Sequence, residues 1–114
     1  LSAAEARYTG DFLEEDLYAD WSASLREEAR ATYVSVARAL AKLAAGAGDR
    51  DAEIRLRLRI LERDPYDEDA HLGLVAALAS SGRHGESRRS YATYVSKMEE
   101  LGVEPAAFPT ARAA

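Results

Sequence analysis

Between about Asp20 and Ala45, apolar residues return at every third or fourth position: Leu25, Ala29, Tyr33, Val36, Leu40 and Leu43. That spacing gathers them on one face of a long helix, and this face is expected to meet the core. Gly46 and Gly48 interrupt the pattern, and Asp49 or Asp51 can cap the helix that follows. Residues 54–61, IRLRLRIL, alternate apolar positions with arginine, which taken alone suggests a half-buried strand. On a helix the same residues form two seams, Ile54–Leu58–Leu61 and Leu56–Ile60, with Arg55 and Arg59 toward solvent and Arg57 between them. Asp64–Pro65 ends that element, because the residue before a proline is pushed away from helical geometry.

Two more helices follow. YDEDAHLGLVAALASSG carries Asp67, Glu68 and Asp69 around its first turn, where they complement the helix dipole, and stops at Ser81–Gly82. HGESRRSYATYVSKMEELG ends at Gly102, with Pro105 just beyond. Upstream, Leu1 to about Tyr8 predicts a short helix closed by Thr9–Gly10. GDFLEEDLYADW then reads as a turn and a short helical segment bearing Phe12, Tyr18 and Trp21. The last residues, from 106 to 114, lack periodicity and are expected to form a flexible tail.

An internal period decides between strand and helix for IRLRLRIL. Gly48 and Gly82 lie 34 positions apart, and Leu40, Ala41 and Ala44 recur as Leu74, Val75 and Leu78 at the same offset. A helix–turn–helix unit of 34 residues is the tetratricopeptide spacing. The second copy places His71, Leu74, Val75, Leu78, Ser87 and Tyr91 at its characteristic positions, and the first places Ala37, Leu40, Ala41, Ala44, Glu53 and Arg57 there. Both copies are degenerate. IRLRLRIL becomes the second helix of the first repeat, which needs two apolar seams because it packs between two neighbours. The predicted fold is all-α, a fragment of an α-solenoid built from tetratricopeptide-like antiparallel helix hairpins.

Composition and charge narrow the function. The chain of 114 residues is one domain or part of one, has no cysteine and carries a net charge of −5. That charge is banded: residues 29–63 hold eight bases and four acids, and residues 64–71 hold four acids and no base. Banding of this kind favours contacts between neighbouring segments over a continuous basic face for nucleic acid. No apolar run approaches the ~20 residues of a membrane-spanning helix, and the N-terminal residues lack a basic region followed by an apolar core, so a signal peptide is not expected. A cytoplasmic location is expected, with no membrane partner. The first residue is Leu1, which suggests a piece of something longer.

The ordered set Gly10-Asp11-Phe12-Leu13, Asp20-Trp21, Arg26, Gly48-Asp49, Asp64-Pro65, Asp69-Ala70-His71, Ser81-Gly82-Arg83, Tyr91 and Leu101-Gly102-Val103-Glu104-Pro105 resembles the bacterial transcriptional activator domain. It covers about residues 3–105. The resemblance implies a tetratricopeptide-like regulatory domain that usually follows a winged-helix DNA-binding domain. It also implies a domain spanning 1–105 that lacks its first helices. The chain departs from the family at Glu53, Arg57 and Ser87, which bear on the regularity of a groove on the first repeat.

No catalytic constellation emerges from the residues. DFLEED lacks the ligand ladder and central glycine of a calcium loop and reads as a solvated acidic turn. His71, one turn after Asp67, offers one edge of a metal site, but His84 is poorly placed to complete it. No nucleophile elbow or phosphate-binding loop occurs, so neither enzyme activity nor a cofactor is expected. Structural roles fall to Gly10, Asp11, Phe12, Leu13, Trp21, Gly48, Pro65, Gly82 and Gly102. The candidate interaction surface comprises Arg57, Tyr91, Tyr94 and Met98.

Arg57 stands where the repeat holds a large apolar side chain. It either pairs with Glu53 one turn back, the favoured expectation, or offers a charged contact on the concave face. Tyr91, Tyr94, Val95 and Met98 either pack inward under a cover provided through Phe108 or present a docking face. The expected function is a non-catalytic protein–protein interaction module of a bacterial transcription regulator. Its candidate partners are a neighbouring domain of the same regulator, a second copy forming a homodimer, or the transcription machinery. A general scaffold unrelated to transcription is the alternative, and direct DNA contact through Arg83, Arg88 and Arg89 is a third reading.

Overall fold

The computed structural model describes residues 11–109, with side chains described from residue 22 onward. The helices are α1 (Asp11–Gly46), α2 (Arg50–Arg63), α3 (Glu68–Ser80) and α4 (His84–Leu101), and no strand occurs among the described residues. The protein is all-α. Residues 54–61 lie within α2, so the alternating arginines belong to a helix. The expected helix at Leu1–Tyr8 lies outside the described residues. The expected turn in GDFLEEDLYADW is replaced by continuous helix from Asp11, since no glycine or proline interrupts residues 11–45.

The chain divides into two compact units, Leu1–Thr32 and Tyr33–Ala114. Within the first, Arg26 donates to Ser22 Oγ and Arg30 pairs with Glu27, both along the helix surface. The second unit holds the repeat. Its helices α2 and α4 begin at Arg50 and His84, 34 positions apart, and α1 and α3 end at Gly46 and Ser80 with the same offset.

The helix ends explain that regularity. Past α1 the Asp49 N–H reaches Ala44 O (2.9 Å) and the Gly48 N–H reaches Ala45 O (3.1 Å). Past α3 the Arg83 N–H reaches Leu78 O (2.9 Å) and the Gly82 N–H reaches Ala79 O (3.0 Å). Both are Schellman ends, which need a left-handed residue, and Gly48 (φ 76°) and Gly82 (φ 82°) supply it without a Cβ clash. The next helices then start from side-chain caps where one is available. Asp49 accepts from the Ala52 N–H (3.2 Å) and Asp67 from the Ala70 N–H (2.9 Å). At the end of α2, the N–H of Asp64 closes on Ile60 O (2.8 Å) before Pro65 turns the chain.

Two apolar clusters flank α2. Val34 and Ala37 of α1 meet Ile60 and Ala70, with Tyr33, Leu56 and Leu61 alongside. Ile54 meets Leu74, Ala77 and Leu78 of α3, again with Leu61. The two seams expected of α2 are therefore used, except that Leu58 is exposed. The face of α1 is not the expected one. Its buried stripe is Val34, Ala37 and Ala41, whereas Leu25, Val36, Leu40 and Leu43 are exposed. Alanine at the contact lets two helices approach closely, and the longer side chains lie on other parts of the helix surface.

Candidate interaction site

Charge contacts join the helices of the hairpin unit. Arg38 of α1 grips Asp67 with both ends of its guanidinium, Nη1 to Oδ1 at 3.0 Å and Nη2 to Oδ2 at 2.6 Å, and reaches Asp69 Oδ2 at 2.9 Å. Asp67 is also the cap of α3, so one carboxylate fixes the helix start and ties it to α1. The hydrogen-bonded Arg38 holds the Asp67 carboxyl below the usual carboxylate range, and Asp67 in turn raises the Arg38 pKa. The basic band at 29–63 and the acidic band at 64–71 thus neutralise one another across helices.

Deeper in, Arg57 of α2 donates from Nε to Glu53 Oε2 (3.0 Å) and from Nη1 to Asp69 Oδ2 (3.4 Å). Arg57 and Glu53 are both buried. The guanidinium lies directly over Gly73 of α3, where a side chain would strike it. A cleft of about 140 Å³ opens here, lined by Arg50, Glu53, Arg57, Gly73, Ala76 and Ser80 among others.

At the far end, α4 is covered by the segment that follows it. Tyr94, fully buried, donates its hydroxyl to Glu68 and accepts from the Ala106 N–H at 2.7 Å. Tyr91 donates to Ala106 O at 2.7 Å, and its ring meets Phe108 edge-on at 5.1 Å. Burial and the bond to Glu68 push the Tyr94 hydroxyl above its ordinary pKa. The segment between α2 and α3 is held to α4 as well, through Tyr66 Oη donating to Glu100 Oε1 (2.8 Å).

A family model for the bacterial transcriptional activator domain matches residues 1–112. The chain belongs to that family. No curated protein and no solved structure gave a match. As a bacterial transcriptional activator domain, the chain is a regulatory part of a transcription regulator.

Within this activator domain the expected interaction residues are redistributed. Tyr94 (0% exposed) and Met98 (2%) belong to the core. Tyr91 is half-buried against Phe108. Arg57 takes the favoured role, paired with Glu53. His71 is buried, donates from Nε2 to the Pro65 carbonyl (2.7 Å) and meets the Tyr94 ring, so it serves the fold. Of the arginines considered for DNA, Arg83 pairs with Glu86 and Arg88 lies over Phe108. Gly48, Gly82 and Gly102 have positive φ at helix ends, and Pro65 follows the end of α2. Gly10 lies outside the described residues, as do the side chains of Asp11, Phe12, Leu13 and Trp21.

Two features escape a reading by periodicity. The Arg38 clamp joins residues 29 and 31 positions apart, and no local pattern marks it. Gly73 carries a signal, a glycine inside a helix with no turn to make, and the reason lies in the arginine that covers it. The row on α1, Val36 (54% exposed), Leu40 (46%) and Leu43 (70%), is legible as apolar from its spacing, but it lies at the surface where the spacing predicts the core.

Proposed function

We propose that this domain is a non-catalytic protein–protein interaction module, working in the cytoplasm beside a separate DNA-binding domain of the same regulator. The observation that carries the reading is the row Val36, Leu40 and Leu43 on α1. In the second repeat the residue equivalent to Leu40 is Leu74, which is buried against Ile54 of the preceding helix. By the same symmetry the partner of Leu40 is a helix laid along the open side of α1, supplied by a neighbouring domain, a second copy or another protein. Spaced four and three apart, these side chains suit the helix-in-groove mode of recognition.

The charge layout favours a protein partner over DNA, because Arg38, Arg57 and Arg83 already hold carboxylates of the domain itself. The test is a full-length regulator carrying Leu40→Glu. It should keep its helicity and DNA affinity while transcription activation falls at least ~10-fold, the loss expected from charging the centre of an apolar interface. Unchanged activation would remove α1 from the mechanism. A mobility shift with the isolated domain checks the rest: salt-sensitive DNA binding at micromolar protein contradicts the reading.

A further inference from the structure

The cleft between α2 and α3 has a chemistry that the fold does not consume. Arg57 Nη2 has no acceptor among the described residues, although Nε and Nη1 of the same guanidinium are engaged. Glu53 accepts from Arg57 through Oε2, and its Oε1 has only a long contact from Arg50 Nη1 at 3.4 Å. Both residues are more than nine-tenths buried and both line the cleft. A donor and an acceptor with spare capacity thus stand side by side in a small, sheltered space, next to Gly73, Ala76 and Ser80.

Charge selects among ligands. A carboxylate would gain Arg57 and meet Glu53 and Asp69, which already share that guanidinium. An ammonium would gain Glu53 and meet Arg57 and Arg50. A neutral group that both accepts and donates satisfies the pair at no charge cost. A single trans peptide group points its C=O and N–H in opposite directions, and an extended residue that presents both on one edge brings two peptide groups with it. A primary carboxamide presents both on a single edge.

We propose that this cleft receives the carboxamide of a glutamine or asparagine side chain from the partner protein, its oxygen on Arg57 Nη2 and its N–H on Glu53. This deepens the interaction-module reading and rests on it. The departure of Glu53 and Arg57 from the apolar repeat pattern then builds a polar socket into the first hairpin.

The experiment is an NMR titration of the 114-residue chain with propionamide and propionate, following the Arg57 Nε–H and Gly73 amide signals. Propionamide should shift both saturably, with propionate at least ~10-fold weaker because one of two buried hydrogen bonds turns repulsive. Ala76→Leu, which fills the cleft, should abolish the response. Equal or tighter propionate binding overturns the proposal, as does the absence of a saturable shift with either probe. In the full-length regulator, loss of partner binding with Ala76→Leu agrees with the proposal. Loss with Leu40→Glu but not with Ala76→Leu overturns the socket and leaves the interaction-module reading standing.

Discussion

A β-carbon placed on Gly73 would overlap the guanidinium carbon of Arg57. The bare backbone of α3 is therefore the floor on which a buried arginine of α2 rests. The two residues form a size-matched pair, an oversized side chain opposite a missing one.

Gly73→Ala should consequently destabilise the domain by about 1–3 kcal/mol through overpacking, despite the higher helix propensity of alanine. In an Arg57→Ala background the clash is gone, and the same change should stabilise by up to about 1 kcal/mol. Urea denaturation of the four proteins reads the sign reversal. A cost that persists without the arginine refutes the pairing.

Asp67 links stability to acid. Its folded pKa lies below the unfolded value, so its contribution is present above roughly pH 4 and is lost as pH falls through the folded value. Asp67→Asn should flatten the acid limb of a stability–pH profile between about pH 5 and pH 2. Asp67→Ala, which also removes the cap of α3, should cost about 1–2 kcal/mol more than the asparagine variant at pH 7. Identical acid limbs in wild type and Asp67→Asn would contradict this account.

Tyr94 gives the opposite dependence. Its folded pKa is raised, so the stability it contributes is present below roughly pH 10 and lost as pH rises through the folded value. Tyr94→Phe should cost about 1–2 kcal/mol at neutral pH, having lost bonds to Glu68 and Ala106. Amide exchange at Ala106 should accelerate in that variant, whereas exchange in α2 should follow only the global change in stability.

The exposed row of α1 and the α2 side chain packed on its buried stripe should respond differently to substitution. Leu43→Glu on the exposed row should move stability by no more than about 0.5 kcal/mol. Ile60→Ala, which empties the buried site against Val34 and Ala37, should cost about 2–5 kcal/mol. Comparable losses at both positions, read from thermal unfolding, would mean that the Leu43 row is covered within the domain.

Much of this architecture was written locally. The helices α2, α3 and α4, the glycine-terminated ends at Gly48, Gly82 and Gly102, the Asp67 cap and the 34-residue step all follow from side chains acting within a few residues of their own backbone. IRLRLRIL could be assigned to a helix because its two seams and the repeat agree. Tertiary structure decided which apolar stripe is buried where α1 carries two, and it chose Val34, Ala37 and Ala41, of which Val34 and Ala37 meet Ile60 of α2. It also placed Arg38 on Asp67 and Arg57 over Gly73. Those contacts depend on how separate helices approach one another, and periodicity along one helix holds no record of its neighbour's position.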